Sequence, residues 1–271
     1  MTSSSQLELI VVCCHSIYLP SQTSSDPTQE ASWQLASFQR SSNTKSGEHE
    51  TFLLHMLAAL FLLVQRPEAR LVISGGPTAR SITDASEAQS YFDACQTLCR
   101  DQHLCFGSVW PQVQNRIFLE ENATDSFQNL LFSIIAFRKR TGSYPQRTTV
   151  ITHSFKAPRF LRLHAAAIGW PRDNIAVQGI NPPFPLADWE DTEKGEEERA
   201  YSAFERSPFG ADGALARKRI QRGWDDSRLD DISQSLEPSV QEFLKWKGGA
   251  TRHELFPGSL PWSEKGSVEG D

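Results

Sequence analysis

The chain has 271 residues, with 27 Lys+Arg against 33 Asp+Glu, so its formal net charge is −6 and charged residues make up 22%. Hydrophobic residues at 39% supply apolar surface for one large core, which excludes a mini-protein held together by disulfides or metal. That length fits one large α/β domain, or a domain with a long appendage.

Residues 7–13 (Leu-Glu-Leu-Ile-Val-Val-Cys) form a first buried strand. Residues 16–47, rich in Ser, Thr and Gln, read as a loop over the sheet with a helical turn around Trp33 and Phe38. A helix over 48–65 ends before Pro67; its apolar run from Phe52 to Val64 is interrupted by His55 and falls short of the roughly 20 residues that cross a bilayer. A second strand, 70–74, runs into Gly75-Gly76-Pro77. Asp84 and Glu87 make a capping-box pattern for a helix over 85–100. A strand over 116–120 and a helix over 125–140 follow, with Asp125 and Gln128 repeating the capping pattern. Residues 148–152 are a further strand, Pro158 suits the first turn of a helix reaching Ala167, and 174–180 is the last clear strand, closed by Asn181-Pro182-Pro183.

Short β-branched runs alternating with helices predict a mainly parallel sheet and a Rossmann-like three-layer α/β/α fold with a C-terminal helical extension. The expected organisation is an α/β core over 1–183, an acidic loop or insert over 184–199, a helical extension packed on the core over 200–250, and a loose tail over 251–271. Residues 188–199 hold seven acids and two bases, a composition that favours a solvated loop.

Ligands of parallel sheets sit at the carboxyl ends of the strands against helix N-termini. The residues just after each strand are therefore the candidates: His15-Ser16, Ser74-Gly75-Gly76, Glu120-Glu121, Thr152-His153 with Lys156, and Asn181. Glycine's missing Cβ lets the backbone N–H groups of Ser74-Gly75-Gly76 approach an anion, although the segment has neither dinucleotide-fingerprint nor Walker spacing. Residues 130–172 contain no acid and eight bases, among them Lys156 and Arg159 at a strand end and the following helical turn. Helix dipole and side-chain charge both favour phosphate or carboxylate there. Glu87 is read as a capping residue or a crevice carboxylate, and of the pair straddling a strand end, Glu121 is favoured over Glu120 as the functional one. Asn129 is read as pinning the loop after the third strand or touching ligand.

Other chemistries lack support. Cys95-x3-Cys99-x5-Cys105 has no partner knuckle for zinc, no metal site is expected, and the thiols read as buried apolar groups. No Gly-x-Ser-x-Gly elbow is present. The net charge and the unpatterned Trp224 and Trp246 argue against nucleic acid. Five cysteines, Cys13 and Cys14 among them, in a chain too large to need staples point to a reducing compartment, and the Met-Thr-Ser-Ser-Ser-Gln start is unlike a signal peptide, so a cytoplasmic protein without a membrane span is expected.

Val72-Ile73-Ser74-Gly75-Gly76, then Ser86-Glu87-Ala88, then residues 117–129, then Val150-Ile151-Thr152 with Pro158-Arg159, together resemble the YdcF/SanA/ElyC-like proteins, a domain of unknown function, over roughly residues 7–181. The resemblance implies a Rossmann-like fold with a polar crevice formed by those motifs, and S-adenosylmethionine as one ligand. The chain departs from the pattern where the family's Ser falls on Ala123, its Asn-Thr pair on Asp125-Ser126, and its His on Lys156. The first strand also ends in His15-Ser16-Ile17-Tyr18 instead of glycines. A His-to-Lys exchange replaces a group that titrates near neutrality with a fixed cation.

The expected function is binding, with or without chemical transformation, of a small anionic, phosphorylated or nucleotide-like metabolite. Ser74, Gly75, Gly76, Ser126, Asn129, Thr152, Lys156 and Arg159 would bind it, and Glu121, His153, Glu87 and His15 would move protons. The alternatives are a non-catalytic module that binds, for example, S-adenosylmethionine, and an interaction protein using the acidic insert and C-terminal helices.

Overall fold

In a computed structural model the described residues are 7–21, 24–100, 107, 110–183 and 185–263. Its strands are β1 (Glu8–Cys13), β2 (Ile17–Tyr18), β3 (Trp33–Gln34), β4 (Ala69–Ser74), β5 (Ile117–Glu120), β6 (Arg147–Thr152) and β7 (Ile175–Gly179). Five of them form one sheet in the order β5-β4-β1-β6-β7 with every neighbouring pair parallel, while β2 and β3 make a small antiparallel ribbon. Its helices are α1 (His49–Gln65), α2 (Glu87–Arg100), α3 (Trp110–Val113), α4 (Ser126–Thr141), α5 (Ala165–Ala167), α6 (Leu186–Glu196), α7 (Ser202–Arg206), α8 (Gly213–Gln221), α9 (Arg228–Ser233) and α10 (Pro238–Lys245). A wide π-type turn, Arg159–His164, leads into α5. The protein is a Rossmann-like three-layer α/β fold. Among the described residues, no helix is long and apolar enough to cross a membrane.

The two layers follow from the period-2 pattern of the central strand, whose successive side chains point to opposite faces. Ile10 and Val12 join Leu71, Ile73 and the apolar side of α1 and α2 in one core. Leu9, Val11 and Cys13 join Val72, Val150 and α4 in the other. Both sets are buried, as a parallel strand covered on two faces requires. At its start α4 is capped by Asp125, whose carboxylate accepts from Gln128 N at 2.9 Å, and at its end by Gly142 with φ 78°, a left-handed conformation that glycine adopts without strain.

Three expectations need correction. The helix expected from residue 85 starts at Glu87, and Ser86 is its cap, accepting from Gln89 N at 2.9 Å, so the carboxylate of Glu87 is free of capping duty. The expected acidic loop is helical through α6 and a second π-type turn, Glu197–Tyr201. Composition pointed to solvent, yet Glu196 pairs with Arg159 at 2.9 Å and Trp189 sits edge-on to Phe155 at 6.1 Å, so one face is anchored. In the expected loose tail, Leu260 and Trp262 are buried, and Trp262 Nε1 donates to the Ile168 carbonyl at 2.7 Å; residues 264–271 lie outside the described residues, as does Cys105.

The C-terminal helices share the α4 side of the core. Leu215, Trp224, Leu229, Val240 and Phe243 pack in the same cluster as Leu130, Leu131 and Ile134. Two ion pairs tie them to α4: Arg219–Asp125 at 2.6 Å and Arg138–Glu237 at 2.9 Å.

Candidate functional site

The chain leaves β1 toward β4 and β5 on one side and returns to β6 and β7 on the other, so the loops after the central strands part and leave a crevice at their carboxyl ends. Its volume is about 810 Å³. Cys13, Cys14 and His15 at and after the end of β1, and Thr152, His153 and Lys156 at and after the end of β6, line it. Ser126 at the start of α4, Glu196 on α6 and Lys218 and Arg222 on and after α8 line it too.

Three imidazoles gather on one side. His15 stacks on His153 with ring centroids 4.5 Å apart, Phe155 stacks on His153 at 5.0 Å, and His55 of α1 meets His153 edge-on at 5.1 Å. A carbonyl can only accept, so His55 Nε2 donates to the Ile180 oxygen at 2.9 Å. The Lys156 ammonium can only donate, so His15 Nδ1 accepts from it at 3.3 Å and His15 Nε2–H donates to Thr152 Oγ1 at 3.2 Å. Burial and then Lys156 hold His15 and His153 well below the usual imidazole range, so both are neutral at pH 7. Burial brings His55 down to about 4. His153 is 2% exposed, and among the described residues neither of its ring nitrogens has a hydrogen-bond partner. The nearest carboxylate oxygen, on Glu48, stands 3.9 Å away. Buried polar atoms are rarely left this way.

The cations come from separate parts of the chain. Burial and neighbouring Arg159 lower the Lys156 ammonium to about 8. Arg159 is buried and paired with Glu196, but among the described residues its Nε has no acceptor. Arg222 Nη1 donates to the Thr124 carbonyl at 2.6 Å. Burial and then the guanidinium groups of Arg222 and Arg159 lower Lys218. Among the described residues, no carboxylate oxygen lies within 4.0 Å of a side-chain nitrogen of Lys156, Lys218 or Arg222. Such cations stand beside the N-terminus of α4 on a crevice wall that Glu48, Glu87, Asp125, Asp188, Asp191 and Glu196 also line.

The expected site residues divide into those the fold gathers and those it uses elsewhere. His15, His153, Lys156, Arg159, Thr152, Ser126 and Glu87 all line the crevice. Ser126 Oγ is hydrogen-bonded to His164 Nε2 at 2.8 Å. Glu87 accepts from Thr78 Oγ1, and burial pushes its carboxyl up.

Ser74, Gly75 and Gly76 do not offer free N–H groups. Gly75 N donates to the Glu120 carbonyl at 2.9 Å and Gly76 N to the Ala123 carbonyl at 2.7 Å. The glycine at 75 is needed for packing, because a Cβ there would lie 2.8 Å from Glu87 Cβ and 2.9 Å from Cys14 Cβ. Ser74 Oγ is fully buried, donating to Glu120 Oε2 at 2.6 Å and accepting from Asn129 Nδ2 at 2.9 Å. Asn129 Nδ2 also bonds the Ser74 carbonyl at 3.0 Å, so although Asn129 lines the crevice its amide is a clamp on β4.

Of the two glutamates Glu120 is the inward-facing one, but neither is among the residues that line the crevice. Glu121 is exposed, accepts from Ser86 Oγ at 2.7 Å and does not line the crevice. Register pairs Glu120 with Ser74, which turns Glu120 inward. Burial raises its carboxyl to about 7, while Ser74 and the N–H groups of Asn122 and Ala123 hold it in place. Sequence reasoning missed Glu48, His55, Glu196, Lys218 and Arg222. The signals were a histidine inside the apolar run of α1 and the i, i+4 spacing of Lys218 and Arg222.

No family model matches the chain. Over 210 residues, 65% of this chain and 68% of the relative, it is 33% identical to Uncharacterized protein YOR238W of Saccharomyces cerevisiae. With a third of the aligned positions identical and two thirds of the relative covered, the chain belongs to the family of that yeast protein.

Proposed function

We propose that the crevice binds a small phosphorylated or nucleotide-like metabolite and presents to it a lysine and two neutral imidazoles that can move protons. The observation that carries this reading is the unsatisfied polarity of the crevice among the described residues: cations with no carboxylate within 4.0 Å and a buried His153 whose ring nitrogens have no hydrogen-bond partner. Phosphate oxygens would accept from the cations, and a ligand hydroxyl or carbonyl would answer His153. The YdcF-like relationship belongs to the same proposal and rests on the order of the sequence motifs that carry it.

A thermal-shift panel of inorganic phosphate, nucleoside mono- and diphosphates and S-adenosylmethionine tests it. A phosphorylated compound at saturation is expected to raise the midpoint by about 5 °C or more. Lys218→Ala, on α8 with its backbone at the surface and its ammonium turned to the crevice, should remove most of that shift without lowering the midpoint of the free protein. A shift that Lys218→Ala leaves intact would place the ligand elsewhere, and a shift by S-adenosylmethionine alone would favour the binding-module alternative.

A further inference from the structure

Lys156 is placed unlike an ordinary structural lysine. It lines the crevice, and its one side-chain hydrogen bond among the described residues is to His15 Nδ1 at 3.3 Å. Among the described residues no carboxylate lies within 4.0 Å of it, Arg159 lies on the next turn of the chain, and its ammonium lies over the Phe155 ring, 5.7 Å from the centroid. A lysine crowded by another cation and withdrawn from water keeps a larger unprotonated fraction, as its lowered value of about 8 reflects, and an unprotonated amine is a nucleophile toward carbonyl carbon. Near it stands neutral His153, with one N–H and one lone pair unused.

We infer that Lys156 forms an imine with the carbonyl group of a phosphorylated aldehyde or ketone held in the crevice. This rests on the proposed phosphorylated ligand and names its reactive group. The Nζ lone pair attacks the carbonyl carbon, a C–N bond forms, and the C=O π pair moves to oxygen. One N–H proton passes to that oxygen. The resulting carbinolamine then expels its hydroxyl as the nitrogen pair closes C=N, and the second N–H proton leaves with it, so amine and carbonyl become imine and one water with no oxidant or reductant. His153 is the group placed to relay both protons.

The test uses pyridoxal 5′-phosphate as a probe, added to the full chain near equimolar ratio, fixed with borohydride and located by peptide mass mapping. One reduced adduct is expected, on Lys156, exceeding that on any other lysine by about tenfold or more, as a lowered-pKa amine in a phosphate-binding crevice should give. Lys156→Arg, which keeps the charge and removes the nucleophile, should abolish that adduct. Pyridoxine 5′-phosphate, which has no carbonyl, separates the two claims. If it stabilises the protein while the label scatters over surface lysines or falls on Lys218, the imine is overturned and the phosphate site stands. If it neither stabilises the protein nor competes with the probe, and Lys156 stays unlabelled, both fail.

Discussion

Asp125→Ala is expected to lower the free energy of unfolding by roughly 3–5 kcal/mol, the usual effect of leaving a buried charge without its partner. Asp125 has two jobs. Its Oδ1 caps α4 by accepting from Gln128 N at 2.9 Å, and its Oδ2 receives Arg219 Nε at 2.6 Å, with both side chains about nine-tenths buried. Arg219 sits on α8, so this pair is a main polar tie between the sheet-bearing part of the chain and its C-terminal helices. Asn at position 125 keeps a cap of similar quality, since Asn and Asp are comparable N-caps. Asp125→Asn should therefore retain α4 but still lose most of the ion-pair contribution, and adding Arg219→Met should recover stability by removing the stranded cation. Urea denaturation of the three variants measures this. Equal stability of Asp125→Ala and wild type would show that the helices of residues 213–245 do not depend on this tie.

The second large effect is at Glu120. Glu120→Ala leaves the N–H groups of Asn122 and Ala123 and the Ser74 hydroxyl without their acceptor in a buried place, an expected loss of roughly 3 kcal/mol. The same residue gives the stability a pH dependence. Its folded value of about 7 lies above the ordinary 4.5, so between those values the folded state holds more protons than the unfolded one. The contribution is complete below 4.5 and is lost as pH rises through about 7. Across that window wild type should lose on the order of 3 kcal/mol relative to Glu120→Gln, which cannot titrate. A wild-type advantage over Glu120→Gln that is constant from pH 4.5 to 8 would contradict the burial of a protonated carboxyl.

The sheet was readable in the sequence because parallel strands covered on both faces are short unbroken β-branched runs, as in Leu9 to Val12 and Val72 to Ile73. The strand-end rule placed His15, Thr152, His153, Lys156 and Arg159 in one crevice. Where it misled, tertiary contacts decided. Nothing local says that Gly75 and Gly76 spend their N–H groups on Glu120 and Ala123, or that pairing with Ser74 turns Glu120 inward in place of Glu121. Composition over 188–199 suggested solvent, but the long-range pair of Arg159 with Glu196 anchors a helix there. Lys218 and Arg222 reach the crevice from a part of the chain that belonged to no recognised motif. Their contribution depends on how α8 docks against α4, which spacing along the chain does not encode.

The central claim is that cations with no carboxylate within 4.0 Å among the described residues make this crevice an anion site, and a calorimetric titration of inorganic pyrophosphate into wild type and Lys218→Ala addresses it most directly. Saturable binding of one pyrophosphate per chain, weakened about tenfold or more by the substitution and by raised salt, is the expected result. Absence of saturable binding, or equal affinity in the two proteins, would contradict it.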